Sequence, residues 1–169
     1  MKRILYIHLL IFISVSLFSQ TTDIILGKRF QNVEFGSTTY RQIKKNFCGQ
    51  KRRVDKSTSY ITTVVKCYKV NYLTVNYVDL GLTFKFKKGG KNKTYKLTKI
   101  VLDSLSKDYI NYSIQVNKSS VNDVIEKFGN ANQNEELKLL YGTNSIFFLY
   151  DNALIIRRIE INSNKIIEL

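Results

Sequence analysis

The chain has 169 residues, with 27 Lys and Arg against 13 Asp and Glu, a formal net charge of +14 and a single histidine. Its 44% apolar and 12% aromatic content is enough to bury a core, which excludes wholesale disorder, and the length fits one domain or two small ones. The only imidazole, His8, lies in a segment read as removed, so the remaining chain has no Ser-His-Asp or Cys-His pair, HExxH zinc site or imidazole acid–base catalyst.

Lys2 and Arg3 open the chain, an apolar run follows from Ile4 to Val15, and Ser16-Leu17-Phe18-Ser19-Gln20 supplies small residues. This is the order of a secretory signal peptide. A membrane anchor is the competing reading, but a span needs about 20 apolar residues. This stretch is shorter and carries His8, Ser14 and Ser16. Cleavage is expected after Ser19, so that residues 1–19 are the signal and the rest lies in a bacterial periplasm or outside the cell, with no transmembrane anchor. No cysteine near the cleavage point offers a site for lipid attachment.

Thr39-x-x-Gln42 reads as a capping box, and Tyr40, Ile43 and Phe47 follow at helical spacing until Cys48-Gly49 stops the helix. Cys48 and Cys67 are the only two cysteines, and in an oxidising compartment an even count points to a disulfide between them. Two buried free thiols are the alternative; a catalytic thiol lacks a histidine to activate it. The stretch holding Lys51-Arg52-Arg53 and Cys67 is rich in Val, Thr, Tyr and Ile from Tyr60 to Tyr77 and predicts one or two strands. Leu82, Phe84 and Phe86 alternate with Thr83, Lys85 and Lys87 as in a strand, Lys88-Gly89-Gly90-Lys91-Asn92 reads as a hairpin turn, and Leu97 to Leu102 is the returning strand. A short polar connection, 103–108, leads to a second capping box, Ser120-x-x-Asp123, with Val121, Val124, Ile125 and Phe128 at helical spacing and Gly129 as the stop. Glu135-Glu136 reads as a solvated turn. Ile146, Phe148 and Tyr150 alternate again, Asp151-Asn152 turns the chain, and Ile156 to Ile161 returns.

The second series repeats the first. Val33 to Phe47 aligns on Ile114 to Phe128 at an offset of 81, Tyr77, Leu82, Phe84 and Phe86 fall on Tyr141, Ile146, Phe148 and Tyr150 at 64, and Leu97–Leu102 on Ile156–Ile161 at 59. The drop from 81 to 64 places 17 extra residues between helix and hairpin of the first series. The expected fold class is α+β: two tandem helix-plus-antiparallel-sheet units packed together, a first unit over 20–107 and a second over 108–169.

On these motifs, Val33 to Gly49 with Leu82 to Phe86 and Ile114 to Gly129 with Ile146 to Ile161, the chain resembles the β-lactamase-inhibitor-protein fold. It is similar also to the single-unit small lipoprotein of the outer-membrane β-barrel assembly machinery. The resemblance covers most of residues 33–161 and implies a non-enzymatic protein that binds other proteins, at times as an inhibitor, across an open sheet. The chain departs from the pattern in having no lipid-attachment cysteine and only one possible disulfide, and no binding residue is carried over.

Charge is polarised. Residues 28–107 carry +15 and residues 108–169 carry −2. The candidate binding residues are the basic Lys51, Arg52, Arg53, Lys85 and Lys87, whose field suits polyanions or acidic proteins, although an AT-rich genome also enriches lysine. Phe147 and Leu149 are the apolar candidates, facing either outward or into the junction between the units. No catalytic residue, metal site or cofactor is assigned, because the carboxylates are scattered. The functional expectation is an exported protein-interaction module. The runner-up is a cationic adaptor on anionic envelope or extracellular glycan. Export argues against a nucleic-acid partner, and the oligomeric state is left open.

Overall fold

The structure, a computed structural model, describes residues 33–62, 67–89, 93–107, 109–110, 113–142 and 146–163. The expected signal segment 1–19 and the tip of the 88–92 turn lie outside the described residues.

Helix α1 (Tyr40–Asn46) starts at Thr39, whose hydroxyl accepts from the Gln42 N–H while the Gln42 side chain accepts from the Thr39 N–H at 2.7 Å. Helix α2 (Val121–Phe128) starts the same way, with the Asp123 carboxylate accepting from the Ser120 N–H at 2.6 Å. Each box satisfies N–H groups that the first turn of a helix leaves without partners. Past the two helices, Gly49 and Gly129 take φ of 81° and 78°, values a side chain would oppose.

Eight strands form one antiparallel sheet: β1 (Arg53–Thr62), β2 (Cys67–Tyr77), β3 (Leu82–Gly89), β4 (Lys96–Leu102), β7 (Gln133–Glu135), β8 (Lys138–Tyr141), β9 (Ile146–Tyr150) and β10 (Ile156–Asn162). Their order is β1-β2-β3-β4-β10-β9-β8-β7. Strands β5 (Tyr109–Ile110) and β6 (Ile114–Gln115) pair with each other separately. The α+β class therefore holds, but the sheet dominates. The basic stretch after α1 becomes the β1–β2 pair, in register over ten successive partners without a bulge.

Alternation puts one residue set on each face of the sheet. Tyr77, Leu82, Leu102, Ile159, Phe148 and Leu139 are successive cross-strand partners, and all are buried. Ile43 and Phe47 from the first helical segment, with Val124 and Phe128 from α2, pack onto this face. The Phe47 ring lies 5.0 Å from Tyr77 and 5.3 Å from Phe84, and the last two meet edge to face at 87°. Phe128 lies 5.5 Å from Tyr141 and 5.4 Å from Phe148, which meet at 89°. Such tilted and edge-on contacts suit the ring quadrupoles. Both described α-helices thus cover the same side.

The structure forms no Cys48–Cys67 disulfide. Cys48 is a free, exposed thiol at the end of α1. Its neighbour Phe47 touches Tyr77 at the last position of β2, whereas Cys67 occupies the first. At about 3.3 Å per strand residue the two ends of β2 are roughly 30 Å apart, and a disulfide requires Cα atoms within about 7 Å. Spacing in sequence concealed this, because the helix end and the strand end nearest it are set by packing.

Candidate functional site: the open face of the sheet

The face away from the helices is read by the same registers. Arg53, Asn76, Thr83, Val101, Glu160, Phe147, Leu140 and Gln133 are successive partners, one from each strand of the sheet. Val101 and Leu140 are buried within this row, and the Asn76 side-chain oxygen is buried without a hydrogen-bond partner among the described residues.

The centre of the row is charged. Glu160 accepts a hydrogen bond from Lys99 Nζ across the β4–β10 junction and pairs with Arg158 Nε at 2.8 Å. Lys85, the cross-strand partner of Lys99, adds a third positive charge. Burial pushes the Glu160 carboxyl upward, but the Lys99 hydrogen bond and the charges of Lys99, Arg158 and Lys85 outweigh it and hold the group below its ordinary value. Three cations around one carboxylate leave an excess of positive charge.

The sequence-predicted residues separate here. Lys85 and Lys87 stand on the open face, as partners of Thr74 and Tyr72. Phe147 and Leu149 share that face and are half-buried. Phe147 sits between Leu140 and Glu160 with Lys138 Nζ 4.9 Å from its ring centroid, a cation–π distance. Lys51, Arg52 and Arg53 do not act as one cluster. Arg53 reaches Asp55 at 3.4 Å at the edge of the open face, while Arg52 hydrogen-bonds Tyr40, which raises its pKa further. Lys51 is exposed ahead of β1.

Sequence reasoning missed Lys138, Arg158 and Glu160, and it placed Lys99 only among the basic residues of the first hairpin. The signal for two of them was present in the alternation of Arg158 and Glu160 with Ile159 and Ile161. Their meeting with Lys99 depends on the pairing of β4 with β10, which no local pattern encodes.

Among the described residues no group of three or more His, Cys, Asp or Glu side chains is placed to hold a metal ion, and no helix is long and apolar enough to cross a membrane. An open depression of about 560 Å³ beside α2 is lined by Ser113, Ile114, Ser119, Asp123, Glu126 and Lys127. Its Asp123 carboxylate is already engaged by the helix cap, which lowers its pKa. No protein-family model matches the chain, and neither a curated protein nor a solved structure matches it.

Proposed function

We propose that this chain is an exported, non-enzymatic protein-interaction module that binds another protein across the open face of its sheet, with inhibition as one consequence of such binding. The observation that carries the reading is the one-sided placement of α1 and α2. It leaves a row running through all eight strands, cationic around Lys85, Lys99 and Arg158 and apolar at Phe147. An apolar aromatic side chain beside charged groups is a combination that protein interfaces use.

Two tandem units, 20–107 and 108–169, belong to the same proposal. Phe47, Tyr77 and Phe84 correspond to Phe128, Tyr141 and Phe148 at the offsets of 81, 64 and 64, and the two triads make similar ring clusters. The strand order also runs inward from each edge to β4 and β10. Of the 17 surplus residues, 14 correspond to the greater length of β1 and β2 (10 and 11 residues) over β7 and β8 (3 and 4 residues). Export by a cleaved signal over 1–19 and likeness to the β-lactamase-inhibitor-protein fold stand on the same footing.

The second reading is a cationic adaptor on anionic glycan, favoured by Lys85, Lys87 and Lys99 on one face. Capture from the native envelope fraction by immobilised protein tests both. The protein-binding reading expects one protein captured by the wild type and lost with Lys85→Glu combined with Phe147→Ser; unchanged capture by that variant sinks it. Rising salt should abolish glycan binding steeply, whereas a protein interface should lose mainly association rate.

A further inference from the structure

The two edges of the sheet differ sharply. β7 is three residues long, the short kind of edge that resists pairing with other chains. β1 is ten residues long and in unbroken register with β2, its one strand partner among the described residues, and its described side chains are exposed. It contains no proline, and no bulge twists it away. A strand like this presents a row of outward N–H and C=O groups, the template for adding a further strand.

Charge limits what can be added. Arg53 lies on the open-face side of β1 and Lys56, the partner of buried Leu73, on the helix side. Lys51 and Arg52 precede them, and Asp55, the one acid in the strand, is already held by Arg53. Lys51, Arg52, Arg53 and Lys56 against the single Asp55 leave this edge net positive, which opposes a second copy of the same strand and favours acidic residues on an incoming one.

We propose that β1 is a strand-addition site for an acidic, extended peptide segment of a partner protein, which extends the sheet beyond its eighth strand. The site is the outer backbone edge of the sheet, which meets the open face at Arg53, and the proposal stands whether or not that face binds. Backbone pairing supplies attraction, and Arg53 and Lys56 select for acidic sequence.

The test uses the purified protein and a capped peptide, Thr-Val-Thr-Glu-Asp-Glu-Val-Thr-Val-Thr. Controls are the same peptide with Lys at its three acidic positions and the same peptide N-methylated at its central amides, which keeps the charge and removes the donors. Titration calorimetry should show binding of the acidic peptide, weakened about tenfold or more by N-methylation, the scale of one or two lost backbone hydrogen bonds. The Lys peptide should not bind, and Arg53→Glu with Lys56→Glu should weaken the acidic peptide by a similar factor. Hydrogen exchange should slow at amides of residues 53–62 and not on β3 or β4. Equal binding of the N-methylated peptide, protection confined to the open face, or absence of binding would each overturn the proposal. So would a dimer formed through β1 in the absence of peptide.

Discussion

Lys99 on β4 and Glu160 on β10 are joined by an ion pair on the open face, where the two central strands of the sheet meet. Both side chains are mostly shielded, at 23% and 16% exposure, so the pair is screened less than a surface one. Replacing Glu160 by Gln would leave Lys85, Lys99 and Arg158 without their carboxylate. The expected cost is about 2 kcal/mol at neutral pH, the scale of a hydrogen bond to a charged group. Because the folded-state pKa of Glu160 is lowered, its stabilisation is fully present above the ordinary carboxylate pKa of about 4.3 and is lost as pH falls through the folded value. Urea unfolding of wild type and Glu160→Gln should therefore differ at pH 7 and converge in acid.

Tyr77 and Tyr141 occupy corresponding places but end differently. Tyr141 Oη donates to the Gly129 carbonyl at 2.8 Å, while the Tyr77 hydroxyl is buried with no partner among the described residues. Burial raises the pKa of both. Tyr141→Phe should cost about 1 kcal/mol, a typical net hydrogen bond. Tyr77→Phe removes an unpaired polar group and should be neutral or stabilising. Thermal melts of the two variants should move in different directions or by clearly different amounts.

Leu154 is held at φ 59° in the β9–β10 turn and is half exposed. A leucine gains little burial there and strains its backbone, whereas asparagine accepts left-handed geometry readily. Leu154→Asn should stabilise the protein by about 1 kcal/mol, read as an increase in the urea midpoint with an unchanged slope.

Cys48 should react with a thiol reagent in the native protein without prior reduction, since it is exposed and free. Mass spectrometry of the labelled chain checks this. A protein two hydrogens lighter than its reduced form, and resistant to labelling, would contradict the separation of Cys48 from Cys67.

The sequence announces its local devices clearly. Thr39 with Gln42 and Ser120 with Asp123 cap the helices they predict, and Leu82, Phe84 and Phe86 are buried as their alternation requires. Residues 146–150 and 156–162 form the expected hairpin, closed by Asp151, whose carboxylate accepts from the Ala153 and Ile155 N–H groups. What escapes is whatever depends on distant pairing. Glu135, read as a turn, ends β7 and bonds Lys138 at 3.0 Å, because a three-residue exposed strand has too little alternation to stand out. Phe147 and Leu149 share the sheet face away from α1 and α2, and among the described residues no second layer lies between the two halves, because β4 and β10 join edge to edge. Whether Cys48 meets Cys67 is likewise a matter of distant packing. Parity of cysteines says nothing about which end of β2 the helix approaches.

The central claim, recognition of a protein through the open face, is tested most directly by site-specific photo-crosslinking in the native envelope fraction. Photoreactive residues would replace Lys85 on the open face and Lys127 on the helix α2 that covers the opposite one. Recognition through the open face requires a single crosslinked protein from position 85 and none from position 127. The same adduct from position 127 alone, or none from position 85, would contradict it.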